Sequence, residues 1–183
     1  MTDKGVPAAI FMAQTHALLR AASGAGLTPA QVLLRVNAFL MEMNDKGLFA
    51  TVIYGLLDQS SGSFDYARAG HEYPFLIDPQ GRAASVESGV GMPVGILDEP
   101  ALDENSLHIL PGGLLLLFSD GVTDCTDPAG ERFGLERLES TLHKLADYAP
   151  AQQVCQAIFD ELMSFQGAAP QFDDITMLAV RRD

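Results

Sequence analysis

The sequence has 183 residues, 48% of them hydrophobic, with 24 acidic against 11 basic side chains and a formal net charge of -13. That is chain enough for one domain with its own core, and the hydrophobic share excludes a disordered acidic tail. The charge excludes a nucleic-acid surface, since no cluster of Lys and Arg could neutralise phosphates, and no apolar run reaches the ~18 residues of a membrane span.

In chain order, apolar residues at helical spacing predict a first helix from Val6 to about Ala22, stopped by Gly24 and Gly26. Thr28 followed by Pro29 predicts the capped start of a second, with Val32, Leu33, Val36, Phe39, Leu40 and Met43 keeping the rhythm to Gly47. Met12, Met41 and Met43 on these helices are expected to fill core. Residues 50–57 (ATVIYGLL) and the alternating Ser63–Ala69 then predict a hairpin. Further strands are expected at 74–77, 83–87, 106–110 and 114–119, with a glycine-rich loop at 89–95. Amphipathic helices over 135–146 and 150–165 lead to a last strand over 175–180. Short connections between strands imply antiparallel pairing, and the order of elements implies an α+β fold with helices covering the sheets.

Two places carry chemistry. The run at 114–118 ends on Ser119-Asp120-Gly121, and Asp173-Asp174 immediately precedes the last apolar run. Each puts a carboxylate beside the end of a strand, and two such ends side by side offer oxygen ligands to a hard divalent cation. An isolated Asp-Gly is more often a solvated turn. The cysteines Cys125 and Cys155 have no metal-ligand spacing and fit a reduced, cytoplasmic setting.

Taken in order, the motifs resemble bacterial metal-dependent serine/threonine phosphatases related to protein phosphatase 2C, in the sporulation-stage-II-E and sigma-factor-regulator group. The resemblance rests on DKGVPAAIFMA at 3–13, AGH-x-x-P at 69–74, GMPVG at 91–95, FSDGVTD at 118–124, GERFG at 130–134 and DDIT at 173–176. It implies a sandwich of two antiparallel sheets flanked by helices, here one domain over 1–183 lacking the first strands. It also implies a two-metal centre of Mn2+ or Mg2+ whose activated water hydrolyses phosphoserine or phosphothreonine. The implied substrate is a phosphorylated regulatory protein of the anti-sigma-factor-antagonist type. Carried over by motif, Asp120 and Asp173 are metal ligands at the catalytic centre. Asp174 is a supporting residue, and the backbone carbonyl of Met1 falls at a metal-binding position.

The chain departs from the family pattern at its start. Met1 follows directly on the position of a bridging aspartate, and the upstream carboxylates of the pattern are absent. Fewer anionic ligands mean weaker cation binding. The reading therefore divides between a shortened active phosphatase and a non-catalytic binding or dimerisation module of the same fold. A second copy is expected at an exposed sheet edge or on the N-terminal helices. His71 reads as a loop-fixing residue, with a general-acid role open, and Gly91 and Gly95 read as turn glycines rather than a phosphate cradle. Asp124 reads as a solvated acid and Cys125 as an inert packed thiol, while His16, His108 and His143 read as surface or packing residues without ligand partners.

Overall fold

The computed structural model describes residues 5–24, 26–44, 47–145, 150–171 and 173–183. Two antiparallel sheets with flanking helices make an α+β fold, and the chain forms two compact units.

The first unit holds helices α1 (Val6–Ala22) and α2 (Pro29–Met43) and a sheet of β1 (Val52–Leu57), β2 (Ser63–Ala69) and β5 (Glu104–His108), in the order β1-β2-β5. Helix α2 starts where it does because Thr28 and Gln31 form a reciprocal cap, and Pro29 pre-sets the first helical dihedral. The Glu104 carboxylate reinforces that start, accepting from the Thr28 hydroxyl and, at 3.0 Å, from the Ala30 N–H. The face Val32, Leu33, Val36 and Leu40 is wholly buried against Phe11 of α1 and Ala67 and Ala69 of β2. Strand β2 pairs antiparallel with β1 from Val52↔Ala69 to Leu57↔Phe64, as the hairpin pattern predicts.

Helix α1 buries only part of its apolar surface. Its inner face is Ala8, Phe11, Thr15 and Ala22, whereas Val6 and Ile10 are 72% and 54% exposed, and Ala13 and Ala17 beside them face solvent. A helix apolar on both sides gives its sequence no single hydrophobic stripe to point inward. The methionines likewise do not fill core: Met12 and Met43 are exposed and Met41 is half-buried.

The second unit holds β3 (Phe75–Ile77), β4 (Ala83–Ser85), β6 (Leu114–Phe118) and β7 (Met177–Arg181), in the order β4-β3-β6-β7. With them are α3 (Asp120–Thr123), α4 (Gly134–Leu145) and α5 (Ala151–Gln166). All three pairings in this sheet are antiparallel. Alternate residues of β6, namely Leu114, Leu116 and Phe118, enter one core with Leu138 and Leu142 of α4 and Ile158 and Leu162 of α5. Phe75 and Phe118 tilt together at 5.9 Å, and Phe133 meets Phe165 edge-on at 5.4 Å.

Two strands are displaced from their expected positions. β5 begins at Glu104, not Ser106, because polar residues carry its first turns of pairing, and one of them caps α2. β7 begins at Met177, not Ile175, and is half-buried except at Leu178, which is exposed. Ile175 and Thr176 look like strand residues, but their backbone belongs to the loop that carries Asp173 and Asp174.

Candidate metal centre and the family of the chain

Strand β6 ends at Phe118, opposite Met177 of β7, and the two chains stay fastened beyond the last pair. The Ser119 N–H donates to the Thr176 carbonyl at 3.0 Å. The Ser119 hydroxyl accepts from the Thr176 N–H at 3.0 Å and donates to the Asp174 carbonyl at 3.0 Å. Gly121 closes the same contact from the other side: a β-carbon placed on it would lie 2.3 Å from the Asp174 carbonyl oxygen. The sequence therefore joins two carboxylate-bearing segments through one hydroxyl and one missing side chain. Asp120, first residue of α3, stands between Ser119 and Gly121 at this junction.

The carboxylates differ in setting. Asp120 and Asp174 are exposed, and Asp173 is half-buried. One Asp173 carboxylate oxygen accepts from the Asp174 N–H at 2.8 Å, and Gln171 donates to the Asp173 carbonyl at 2.9 Å, which fixes the loop's conformation. The Asp120 carbonyl accepts from the Asp124 N–H at 2.8 Å and the Thr123 hydroxyl at 3.2 Å, so the short helix holds its first residue rigidly. In kind, these carboxylate oxygens suit a hard divalent cation. In number they fall short: among the described residues no group of three His, Cys, Asp or Glu side chains is placed to hold a metal ion. Met1 lies outside the described residues.

Neighbouring candidates take supporting places. Asp124 receives Arg132 at 3.0 Å in an ion pair at the surface, a partner that its reading as a solvated acid leaves out. Cys125 is 6% exposed, and burial pushes its thiol up, away from a reactive thiolate. His143 has a carboxylate partner after all, Glu139 four residues earlier, at 3.6 Å on an exposed helix face. Sequence reading overlooks Ser119 as the fastening residue; the cue available is a hydroxyl residue between an apolar run and Asp-Gly.

The glycine motifs of the first unit serve packing. The Gly91 carbonyl accepts from the Gly70 N–H at 3.0 Å, and a β-carbon on Gly91 would lie 1.8 Å from the Arg68 carbonyl oxygen. Gly70 takes a left-handed φ of 70° against Pro93. Arg68 in turn donates to the His71 carbonyl at 2.7 Å, so that loop is fixed through the histidine's backbone. Asn37 of α2, fully buried, accepts from the Gly95 N–H at 2.8 Å and donates to the carbonyls of Leu97 at 2.8 Å and Asp98 at 3.2 Å. Asn37→Leu, which strands three backbone groups, is expected to cost about 2–3 kcal/mol in urea unfolding. A loss under ~0.5 kcal/mol, the level of an ordinary surface change, would show that this clamp is dispensable.

A sequence model of the family described as stage II sporulation protein E (SpoIIE) matches residues 1–183, the whole chain. The chain belongs to the SpoIIE family. Among its relatives, protein IcfG of Synechocystis is 34% identical over 99% of this chain, which spans 32% of that protein. Phosphoserine phosphatase RsbU of Bacillus subtilis is 30% identical over 98% of this chain, which spans 52% of it. The chain thus covers from a third to half of these relatives. Among solved structures, the RsbU and RsbW domains of Rv1364c from Mycobacterium tuberculosis superpose with a TM-score of 0.82 at 28% identity, over 99% of this chain and 49% of that one. The SiaA-PP2C domain of Pseudomonas aeruginosa gives 0.84 at 23% identity, over 98% and 72%. This SpoIIE-family chain therefore has a PP2C-type fold, with Asp120 and the Asp173-Asp174 pair clipped together at one end of its second sheet.

Proposed function

We propose that this chain acts as a metal-dependent protein serine/threonine phosphatase domain, working in the cytoplasm on phosphoserine or phosphothreonine of a regulatory protein of the anti-sigma-factor-antagonist type. The observation that carries the reading is the fastening of Asp120 and Asp173-Asp174 by Ser119 and Gly121. RsbU, a phosphoserine phosphatase by name, supports the reaction class. Asp120 and Asp173 would hold Mn2+ or Mg2+, with Asp174 in support and Met1 lending its backbone carbonyl. A divalent cation there supplies positive charge against the phosphate and lowers the pKa of a water. The chain's own part is positional: the β6–β7 pairing and the Ser119 clip hold the acids in one geometry, so no reorganisation is needed when ligand arrives.

The shortage, among the described residues, of a third converging acid favours a second reading, a binding or dimerisation module of the same fold that does not hydrolyse. One experiment separates them. Phosphate release from a phosphoserine peptide and Mn2+ affinity by calorimetry are measured for this chain, for a version lengthened by the in-frame upstream sequence, and for Asp120→Asn in each. The phosphatase reading expects Mn2+-dependent release, greater in the longer chain, and at least about tenfold weaker Mn2+ binding in Asp120→Asn. Absence of release from both chains, with Mn2+ affinity indifferent to Asp120, would leave the binding-module reading standing.

A further inference from the structure

We propose that Arg137 is a positioning residue for the cation centre, acting through residues 131–133 on the far end of α3; this rests on the proposed reading of Asp120 as a metal ligand. Helix α3 is only four residues long, Asp120–Thr123, and a single turn of helix has no stability of its own. Its direction, and with it that of Asp120, is therefore imposed from outside at both ends. Ser119 and Gly121 fix the start. The end is fixed by the segment 131–133, which runs back alongside the residues that follow the helix. The Phe133 N–H donates to the Cys125 carbonyl at 2.8 Å, the Asp127 N–H donates to the Glu131 carbonyl at 3.0 Å, and the Arg132 guanidinium donates to the Asp124 carboxylate at 3.0 Å. The first of these weighs most, because Cys125 and Phe133 are buried, whereas the Arg132–Asp124 pair is exposed and worth little.

Arg137 holds that segment. Its Nη1 donates to the carbonyls of Arg132 at 2.6 Å and Phe133 at 3.3 Å, and its Nη2 to the Glu131 carboxylate at 3.2 Å, so one guanidinium takes an acceptor from each of three consecutive residues. The same group lies over the Phe165 ring, 4.8 Å from its centre, and Phe165 meets Phe133 edge-on. The stack fixes the plane of the fork, and the fork fixes the segment. A lysine has neither the plane nor the fork. Helix α4 does not explain the residue, since Arg137 is its fourth position and a cation there opposes the helix dipole. A slip of about 1 Å at the end of α3, a helix roughly 6 Å long, turns it by about 10°. That reaches the tolerance of a preorganised metal site.

The test is Mn2+ affinity, by calorimetry on the chain, for wild type, Asp120→Asn, Arg137→Ala, Arg137→Lys and Gly91→Ala, each checked for native circular dichroism. Both Arg137 variants should bind Mn2+ about tenfold more weakly, the low end of what the outer partners of metal ligands cost, and lysine should not rescue. Gly91 packs on Arg68 within the first unit, so Gly91→Ala should lose stability and leave Mn2+ affinity unchanged. Should Arg137→Ala fail to fold, Arg137→Lys, which keeps the charge, carries the comparison. The proposal alone is overturned by Arg137 variants that bind within about twofold of wild type while Asp120→Asn binds weakly, by rescue in Arg137→Lys, or by an equal loss in Gly91→Ala, which would trace the effect to stability. Indifference of Mn2+ affinity to Asp120→Asn would instead remove the centre itself, and the proposal would fall with it.

Discussion

Gly91→Ala is expected to destabilise the protein by about 3–4 kcal/mol, combining overpacking with a lost backbone hydrogen bond. The new methyl would need to occupy space 1.8 Å from the Arg68 carbonyl oxygen and 2.7 Å from its carbon, and neither is the tip of a side chain that can swing away. Arg68 is held in β2, paired with Ile53 of β1, so the strand does not yield cheaply. The loop does not yield freely either. Its Met92 N–H is bonded to the Ala101 carbonyl at 3.1 Å and its Asp103 N–H to the Val90 carbonyl at 3.1 Å. Moving it also breaks the 3.0 Å bond between Gly70 and Gly91. In a protein of this size the loss corresponds to roughly a 10 °C fall in Tm, read by thermal melting followed by circular dichroism. Gly130→Ala is the informative control. Gly130 has a left-handed φ of 85° but open space around it, so only about 1–2 kcal/mol of backbone strain is at stake. Gly91 itself has no left-handed φ, so equal losses in the two variants would show that its close approach to Arg68 is relieved at no more than the cost of ordinary backbone strain.

The second large effect is expected at Gly121, and there it should appear in ligand binding more than in stability. Gly121 lies in α3, where alanine is the better helix former by up to ~1 kcal/mol. Against this, its β-carbon would lie 2.3 Å from the Asp174 carbonyl oxygen and 2.9 Å from the carbon. The loop at 173–176 keeps its own conformation but is tied to β6 through Ser119, so it should retreat as a unit by about 1 Å rather than melt the helix. A shift of that size misplaces Asp173 and Asp174 relative to Asp120 and is enough to spoil a preorganised site. The expected result for Gly121→Ala is Mn2+ affinity reduced tenfold or more with unfolding free energy changed by under about 2 kcal/mol. Unaltered affinity would remove the Asp173-Asp174 loop from the proposed centre.

What could be read in advance depended on whether a signal was local. Thr28-Pro29 with Gln31 states the start of α2 in four residues, and Ser63–Ala69 states its own strand by alternation. The two aspartate motifs were legible because each follows or precedes an apolar run, and the structure brings their backbones together. Partner choice was not legible. β5 lies beside β2, and β3 pairs with β6 from Phe75↔Leu116 onward, through contacts no neighbouring residue announces. The buried face of α1 was hidden for the opposite reason, since apolar residues on both sides leave the period without a direction. Glu104 shows a third kind of limit: a charged residue begins a strand because its carboxylate serves the start of a helix 74 positions away.

The Ser119 clip also sets an order of events during folding. It joins residues 55 and 57 positions apart, and the β6–β7 ladder beside it is equally non-local. Closing so long a loop costs entropy that only the completed pairing returns, so this end of the second unit belongs to the late stages of folding. Strand β7 is moreover the last element along the chain. A polypeptide emerging from the ribosome can assemble α1, α2 and the β1–β2 hairpin early, while Asp120 waits without its partner segment until residues through 181 have been made. At the proposed centre, cation binding would thereby wait until β7 has paired, since before that Asp120 stands without the Asp173-Asp174 segment.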